Sequence, residues 1–371
     1  MIIGMPKEIK NGEYRVAMIP SSVTAFIRSG HHVYVEKDAG ARAGFSDREY
    51  EAAGAITCDS KTVYDKSDMI YKVKEVLPAE YNCYKEGQIL FTYIHSASRP
   101  VMTKVLLESK IIGIAYEDVD DEEGRLPLLA PMSEIAGKGA FIAAFKYQQT
   151  LNGGKGRLLS RVCGLEVPRI MIIVCGHTGM AAAEYAAAFG NHVTMLDVNR
   201  KAMENAHKLS DNIEILYSNR ENILSSLKQA DVIINCIMWD QRYEGHIVYK
   251  EDLKLMKQDA IIIDVSSDEA GAIETCVITS QDNPVYKVDG ILHYCVPNIP
   301  SLYANSASIL LSARTLPYAL KIANNGAEKA LKEDKHLRRG LSFYCGLLTN
   351  KENAEANNLS YTSADELINS F

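Results

Sequence analysis

The sequence predicts an α/β protein of two domains with mostly parallel sheets. Three observations carry that prediction. Short apolar runs ending in polar residues alternate with helical stretches, the pattern of repeated strand and helix units. One such unit holds the glycine turn "IVCGHTGM", Ile173–Met180, between an apolar run and an alanine-rich stretch. A chain of 371 residues, 47% apolar against 23% charged, is also long enough to bury two cores.

The elements follow in order. "SSVTAFIRSG" opens on a serine pair suited to a helix N-cap and closes at Gly30, and the strand-like "HHVYVEK" comes next. "SDMIYKVKE", "QILFTYIH" and "KIIGIAYED" are short apolar runs ending in polar residues, as buried parallel strands are when their carboxyl ends open onto a cleft. The acidic run "EDVDDEE", Glu117–Glu123, reads as solvated loop. Pro131–Leu151 reads as a long helix with Ser133 near its start, ended by "NGGKG".

"RIMIIV", the glycine turn, the helix "MAAAEYAAAFG" and the strand "HVTMLD" form a βαβ unit that "ADVIINCI" and "DAIIIDVSS" extend. From about Ser306 the chain turns helical in "SASILLSARTLPYALKIANNG". The polar end, "NKENAEANNLSYTSADELINSF", reads as surface structure or a partly ordered tail.

Composition excludes several function classes. The net charge of -7, with no concentrated basic patch, argues against a nucleic-acid partner. Eight cysteines scattered from Cys58 to Cys345, without a CxxC pair or a compact ligand cluster, indicate neither a zinc site nor a disulfide frame, as in a reduced cytosolic protein. No stretch reaches the roughly 18 to 20 unbroken apolar residues of a membrane span, and no leader pattern opens the chain, so a cytoplasmic location is expected.

In a dinucleotide-binding turn the first glycine permits the tight bend, the second admits pyrophosphate and the third lets helix and strand pack closely. Gly176 and Gly179 fill the second and third places, while Val174 stands at the first and is tolerable with negative φ. The following helix start offers N–H groups to phosphate. Asp197, ending "HVTMLD", is placed to accept hydrogen bonds from both adenosine ribose hydroxyls, which favours NAD over NADP, although Arg200 lies close.

Four polar residues stand where strand-end loops converge. Arg15 follows "KNGEY", Lys74 interrupts "IYKVKE", His95 ends "ILFTYI" and Asp268 follows "IIIDVSS". An arginine and a lysine can clamp a carboxylate. A histidine exchanges protons near neutral pH, and an aspartate can orient or deprotonate water.

The stretches "GMPKEIKNGEYRVAMIP", "YKVKE", "FTYIH", "AYED", "PMSEIAGKGA", "LDVNR", "SNRENI", "IETCVITS" and "VDGILHYCV" resemble, in order, those of the alanine dehydrogenase and pyridine nucleotide transhydrogenase family, particularly its soluble alanine dehydrogenases. The resemblance implies two Rossmann-like domains around a cleft: a substrate domain of residues 1–128 and 306–371, and an NAD-binding domain of residues 129–305. It implies that Arg15 and Lys74 bind the carboxylate of pyruvate or alanine, that His95 serves in proton transfer and that Asp268 assists the water and amine steps. Ser133, Gly176, His177, Thr178, Gly179, Met180, Asp197, Ser218, Ile237, Met238 and Asn298 would form the NAD site, with no metal. The implied partners are L-alanine, pyruvate and ammonia, and the implied assembly is a homo-hexamer.

Departures from the family pattern gather around the cofactor. They are "VCGHTG", Ala202, "CIMWDQRYEGH", "DEAG" and "PNIPSLYANSAS". Several resemble the carboxyethylornithine synthase branch, in which a side-chain amine condenses with pyruvate before reduction, and there Asp240, Glu244 and Glu269 would meet a cationic side chain. A non-catalytic NAD-binding sensor is the third reading. It has no use for Arg15, Lys74, His95 and Asp268.

Overall fold

A parallel strand run needs helical crossovers, and the chain supplies them at almost every step. The computed structural model describes residues 1–240, 243–267 and 270–368. The chain begins with β1 (Ile2–Met5), α1 (Pro20–Arg28), β2 (His32–Glu36), α2 (Asp47–Ala52), β3 (Ile56–Cys58), α3 (Ser60–Lys66), β4 (Met69–Tyr71), β5 (Ile89–Thr92), α4 (Pro100–Glu108), β6 (Ile112–Ala115) and α5 (Ala130–Tyr147). A second series holds β7 (Arg169–Ile173), α6 (His177–Ala188), β8 (His192–Asp197), α7 (Arg200–Ala206), β9 (Ile213–Tyr217), α8 (Arg220–Gln229), β10 (Val232–Asn235), β11 (Ile261–Asp264), β12 (Val285–Val288) and β13 (Ile291–Tyr294). The chain closes with α9 (Ala304–Asn325), α10 (Ala327–Glu333), α11 (Lys335–Arg339), β14 (Leu341–Tyr344), β15 (Leu347–Leu348), α12 (Lys351–Asn357) and α13 (Ala364–Ile368).

Two units result, Met1–Met132 with Ser301–Phe371, and Ser133–Pro300. The first carries a sheet ordered β3-β2-β1-β4-β5-β6-β14-β15, parallel up to β6 and antiparallel beyond it. The second carries β9-β8-β7-β10-β11-β13-β12, with only the β12–β13 pair antiparallel. Both sheets are Rossmann-like. The strand order reverses between β1 and β4 in one and between β7 and β10 in the other, and such switch points are where α/β sheets open a crevice at their strand ends.

Burial follows the sequence pattern. All four residues of β10 and all four of β11 are buried, as strands covered on both faces must be. In α6 the alanines Ala181, Ala182, Ala183, Ala186 and Ala187 are buried, so the helix lies close to the sheet. A Cβ on Gly137 of α5 would stand 2.0 Å from the Thr178 carbonyl oxygen, so α5 runs against the first turn of α6.

Three local expectations are corrected. The serine pair does not cap α1: Pro20 occupies its first turn, the cap residue Ile19 makes no side-chain cap bond, and Ser22 bonds Ser312 instead. The α5 helix ends at Tyr147, and a short turn over Thr150–Asn152 closes at Gly153 with φ 92°. Glu117–Asp120 do not form solvated loop, because they start the turn off β6; Asp120 is buried and Glu117 caps neighbouring amides. The polar tail is surface structure, as one of the two readings had it: it forms α12 and α13, with Asn353, Ala354, Leu367 and Ile368 buried.

Candidate active site

The loop after β1 leaves the first switch point and carries Lys10, Glu13 and Arg15, and serines of α9 and of the turn just before it fix its backbone. Ser301 Oγ donates to the Gly12 carbonyl at 2.5 Å and accepts the Tyr14 N–H at 2.9 Å. Ser308 accepts the Val16 N–H at 2.9 Å and Ser312 the Ile19 N–H at 3.3 Å. Amides that have no sheet partner are thereby satisfied. Glu8 ties this loop to the one after β4, its Oε1 accepting from Val73 N–H at 2.6 Å and Lys74 N–H at 3.2 Å.

Arg15 is buried, and Glu13 grips its guanidinium through Nε–Oε1 at 2.8 Å and Nη2–Oε2 at 2.6 Å. Its Nη1 points at Met132 Sδ, 3.2 Å away. This bidentate pair sets the plane of the guanidinium. Burial opposes its charge, but Glu13 outweighs burial and raises the Arg15 pKa, while Arg15 holds Glu13 at about 2 against the same burial.

Lys74 meets the opposite field. Burial, then Arg15 and Lys10, bring its ammonium down to about 8. Glu75 beside it is fully buried, bonded to Lys10 Nζ at 2.6 Å and Arg99 Nη2 at 2.7 Å, and these cations overcome burial to hold it at about 2.

His95 sits off the end of β5 with φ 53°, its ring stacked on Tyr93 at 5.9 Å. Burial and the charge of Lys74 bring it down to about 4, so the imidazole is neutral at pH 7 even though 40% of its side chain is exposed. Its Nδ1 lies 3.4 Å from Glu117 Oε1, which favours the Nδ1–H tautomer and leaves Nε2 to accept a proton. Burial raises Glu117 to about 7, and its carboxylate accepts the N–H groups of Ile94 and His95.

In the second unit the turn after β7 starts α6 at its own switch point. A Cβ on Gly179 would stand 1.9 Å from the Val174 carbonyl oxygen, whereas one on Gly176 would meet nothing nearer than Val174 Cγ1 at 3.6 Å. Gly179 therefore serves helix packing, and Gly176 leaves the open approach that a pyrophosphate needs, so the turn fits NAD. Val174 takes φ 81°, not the negative φ expected of it. The bend still demands a glycine-like conformation, and a β-branched residue holds it at a cost of about 1–3 kcal/mol.

Asp197 is buried at the end of β8 and already accepts three amides. Its Oδ2 takes Cys175 N–H at 2.6 Å, and its Oδ1 takes Val198 N–H at 2.7 Å and Asn199 N–H at 2.8 Å. By lone-pair count this leaves room for one ribose hydroxyl instead of the expected two.

Arg15, Lys74 and His95 are thus brought into one electrostatic cluster. Gly176, His177, Thr178, Gly179 and Met180 form the turn and first helical residues of α6. Ser218 gives its N–H to the Asp197 carbonyl at 2.9 Å. Ile237 takes Ser266's hydroxyl on its carbonyl, beside Met238, which is 94% exposed. Ser133 is half-buried in α5, and Asn298 follows β13 with φ 64°. Asp268 lies outside the described residues, as do Gln241 and Glu269. Glu8, Glu13, Glu75, Arg99 and Glu117 are the charged partners that sequence reasoning missed, although "GMPKEIKNGEYR", "YKVKE" and "AYED" contain four of them.

Two Rossmann-like sheets, one with a glycine turn that fits a pyrophosphate and the other with a cationic cluster at its strand ends, define a two-domain α/β protein of the dinucleotide-binding class. Residues 4–136 match the family model "Alanine dehydrogenase/PNT, N-terminal domain" and residues 140–351 match "Alanine dehydrogenase/PNT, C-terminal domain". The chain belongs to the alanine dehydrogenase/PNT family. It is 44% identical to an alanine dehydrogenase of Methanococcus maripaludis, over 100% of both chains. It is 41% identical to one of Staphylococcus saprophyticus, over 99% of this chain and 100% of that one. A solved L-alanine dehydrogenase superposes with a TM-score of 0.91 at 37% identity, covering 96% of this chain and 99% of that chain. A transhydrogenase from Sinorhizobium meliloti shares the fold at 21% identity, with a TM-score of 0.81 over 95% of this chain and 99% of that one.

Proposed function

We infer that this chain is an NAD-dependent oxidoreductase that reversibly deaminates L-alanine to pyruvate and ammonia. The observation that carries the reading is the cluster in which a fixed guanidinium, an ammonium of lowered pKa and a neutral imidazole share one field. Such a cluster suits a small anion that also exchanges a proton. Lys74 provides the point charge for the substrate carboxylate, and Arg15, its plane set by Glu13, provides the second cation. His95 Nε2 exchanges a proton with the substrate's nitrogen or carbonyl oxygen. Bound NAD supplies the acceptor for the Cα hydride, with Gly176, the α6 amino terminus, Asp197, Ser218, Ile237, Met238, Asn298 and Ser133 assigned to hold it. Asp268 orients or deprotonates the water that hydrolyses the resulting imine, and the carbinolamine then collapses to ketoacid and ammonia. Family membership alone supports a homo-hexamer working in the cytoplasm.

The test is alanine-dependent NAD reduction by the purified chain and by Asp268→Asn. The variant is expected to lose at least about a hundredfold in turnover, the scale of a general acid–base contribution, while binding NADH normally. Unchanged turnover removes Asp268 from the mechanism. Absence of alanine-dependent reduction in the parent chain overturns the reading.

A further inference from the structure

Pairing of distant strands assembles what the cysteine spacing gave no sign of. Asp264 ends β11 and Cys295 directly follows β13. These strands run parallel with Ile263 opposite Tyr294, so Asp264 and Cys295 are the next neighbours along the ladder. Cys276 arrives on a separate segment that Tyr286 pins on both sides: its hydroxyl donates to the Thr275 carbonyl at 2.8 Å and accepts the Val277 N–H at 2.7 Å. The Thr275 hydroxyl also bonds His293 Nε2 of β13 at 2.8 Å. One carboxylate oxygen and two sulfurs consequently lie within 4.8 Å of one another, all on buried residues, and this is the one such group among the described residues.

We propose that Asp264, Cys276 and Cys295 form a metal site for one thiophilic divalent cation of the zinc class. Two sulfurs and one carboxylate suit a zinc-like ion and are a poor match for magnesium or calcium, which prefer all-oxygen sets. Zinc bonds of about 2.3 Å to sulfur and about 2.0–2.2 Å to oxygen would place the ligand atoms about 3.5–3.8 Å apart, so no pair needs to contract by more than about 1.3 Å. A supporting layer already exists. Asn235 Nδ2 donates to Asp264 Oδ1 at 2.8 Å.

Binding breaks two S–H bonds, forms two metal–sulfur bonds and one metal–oxygen bond, and releases two protons, with no oxidation. One dication replaces two protons, so the buried charge is unchanged and no new desolvation penalty arises from net charge. Asp264 and Cys295 anchor the segments that lead to Ser266 and Asn298, and Ser266 bonds the Ile237 carbonyl. An ion held there therefore braces the strand ends of the second unit, whichever substrate the enzyme uses.

The experiment titrates the reduced, chelator-treated full chain with Cd²⁺ and with Zn²⁺. Expected are a cadmium–thiolate ultraviolet band that saturates at about one equivalent per chain and a zinc-edge X-ray absorption spectrum with about two sulfurs in the first shell. Asn235→Ala should weaken binding about 10–100-fold, and Cys276→Ser at least as much. Because the absorption spectrum is taken on the unaltered chain, the proposal stays testable if a variant fails to fold. A zinc shell without sulfur overturns it, as does a band that survives in Cys276→Ser with Cys295→Ser, which would place the metal on other cysteines. A Cys276–Cys295 disulfide in protein purified under reductant overturns it too.

Discussion

Raising the pH from about 7 to about 9 should weaken pyruvate binding about tenfold, and Lys74 is the reason. Its ammonium is brought down to about 8 by burial and by the charges of Arg15 and Lys10, so it is protonated at the lower pH and mostly neutral at the higher. If the substrate carboxylate binds only the charged form, the dissociation constant scales inversely with the charged fraction, which falls about tenfold and costs about 1.4 kcal/mol across this interval. His95, at about 4, stays neutral throughout, whereas Glu8 and Glu117, at about 7, are about half ionised at the lower pH and complete their ionisation over the next unit or so, in the parent chain and in a Lys74 variant alike. The assay is quenching of bound NADH fluorescence by pyruvate without ammonium, which keeps the ionisation of ammonia out of the readout. Lys74→Arg, charged across the whole range, should flatten the profile. A flat profile in the parent chain, or an unchanged slope in Lys74→Arg, refutes the assignment of Lys74 to the substrate carboxylate.

Three other outcomes follow from the geometry. Gly179→Ala should cut NADH affinity at least about tenfold and lower Tm, since its Cβ would meet a carbonyl at 1.9 Å; Gly176→Ala, with 3.6 Å of room, should weaken NADH while leaving Tm within about 1 °C. Glu117→Gln should stabilise the protein at about pH 8 by up to about 3 kcal/mol, read from thermal unfolding. The sign is set by a folded pKa of about 7 against the ordinary 4.5: the carboxyl's contribution is complete below 4.5 and lost as pH rises through about 7, whereas glutamine keeps the acceptor for Ile94 and His95 and has no charge to bury. A lower Tm for the variant at that pH would contradict this. Ser308→Ala should leave the Val16 amide without its partner, costing about 1–3 kcal/mol and raising the KM for pyruvate through the Arg15 loop; an unaltered KM would detach α9 from the site.

Much of this was legible because it is periodic or local. Apolar runs with polar ends gave β4, β5, β6, β10 and β11, and the residues after those ends gave Lys74 and His95. Gly176 and Gly179 announced the cofactor turn. What escaped is what tertiary packing decides. Glu13, Glu75 and Glu117 look like any surface acids until burial and a cation face them, and an isolated acidic run carries no sign that its first residues turn inward. The φ of Val174 is imposed by the bend and not by valine's own preference. Asp264 and Cys295 meet only because two strands pair, and Cys276 joins them on a segment held by Tyr286, relations with no fixed sequence spacing. The polar tail gave no helical stripe to read, yet a few apolar residues suffice to dock α12 and α13.

The most direct test compares initial rates of NADH oxidation with pyruvate plus ammonium against pyruvate plus ornithine or lysine without ammonium, with products identified by mass. Fast formation of alanine, and little or no condensed product, is the predicted result. A fast condensed amino acid product with little alanine would contradict the account and move the chain to the branch that joins pyruvate to a side-chain amine.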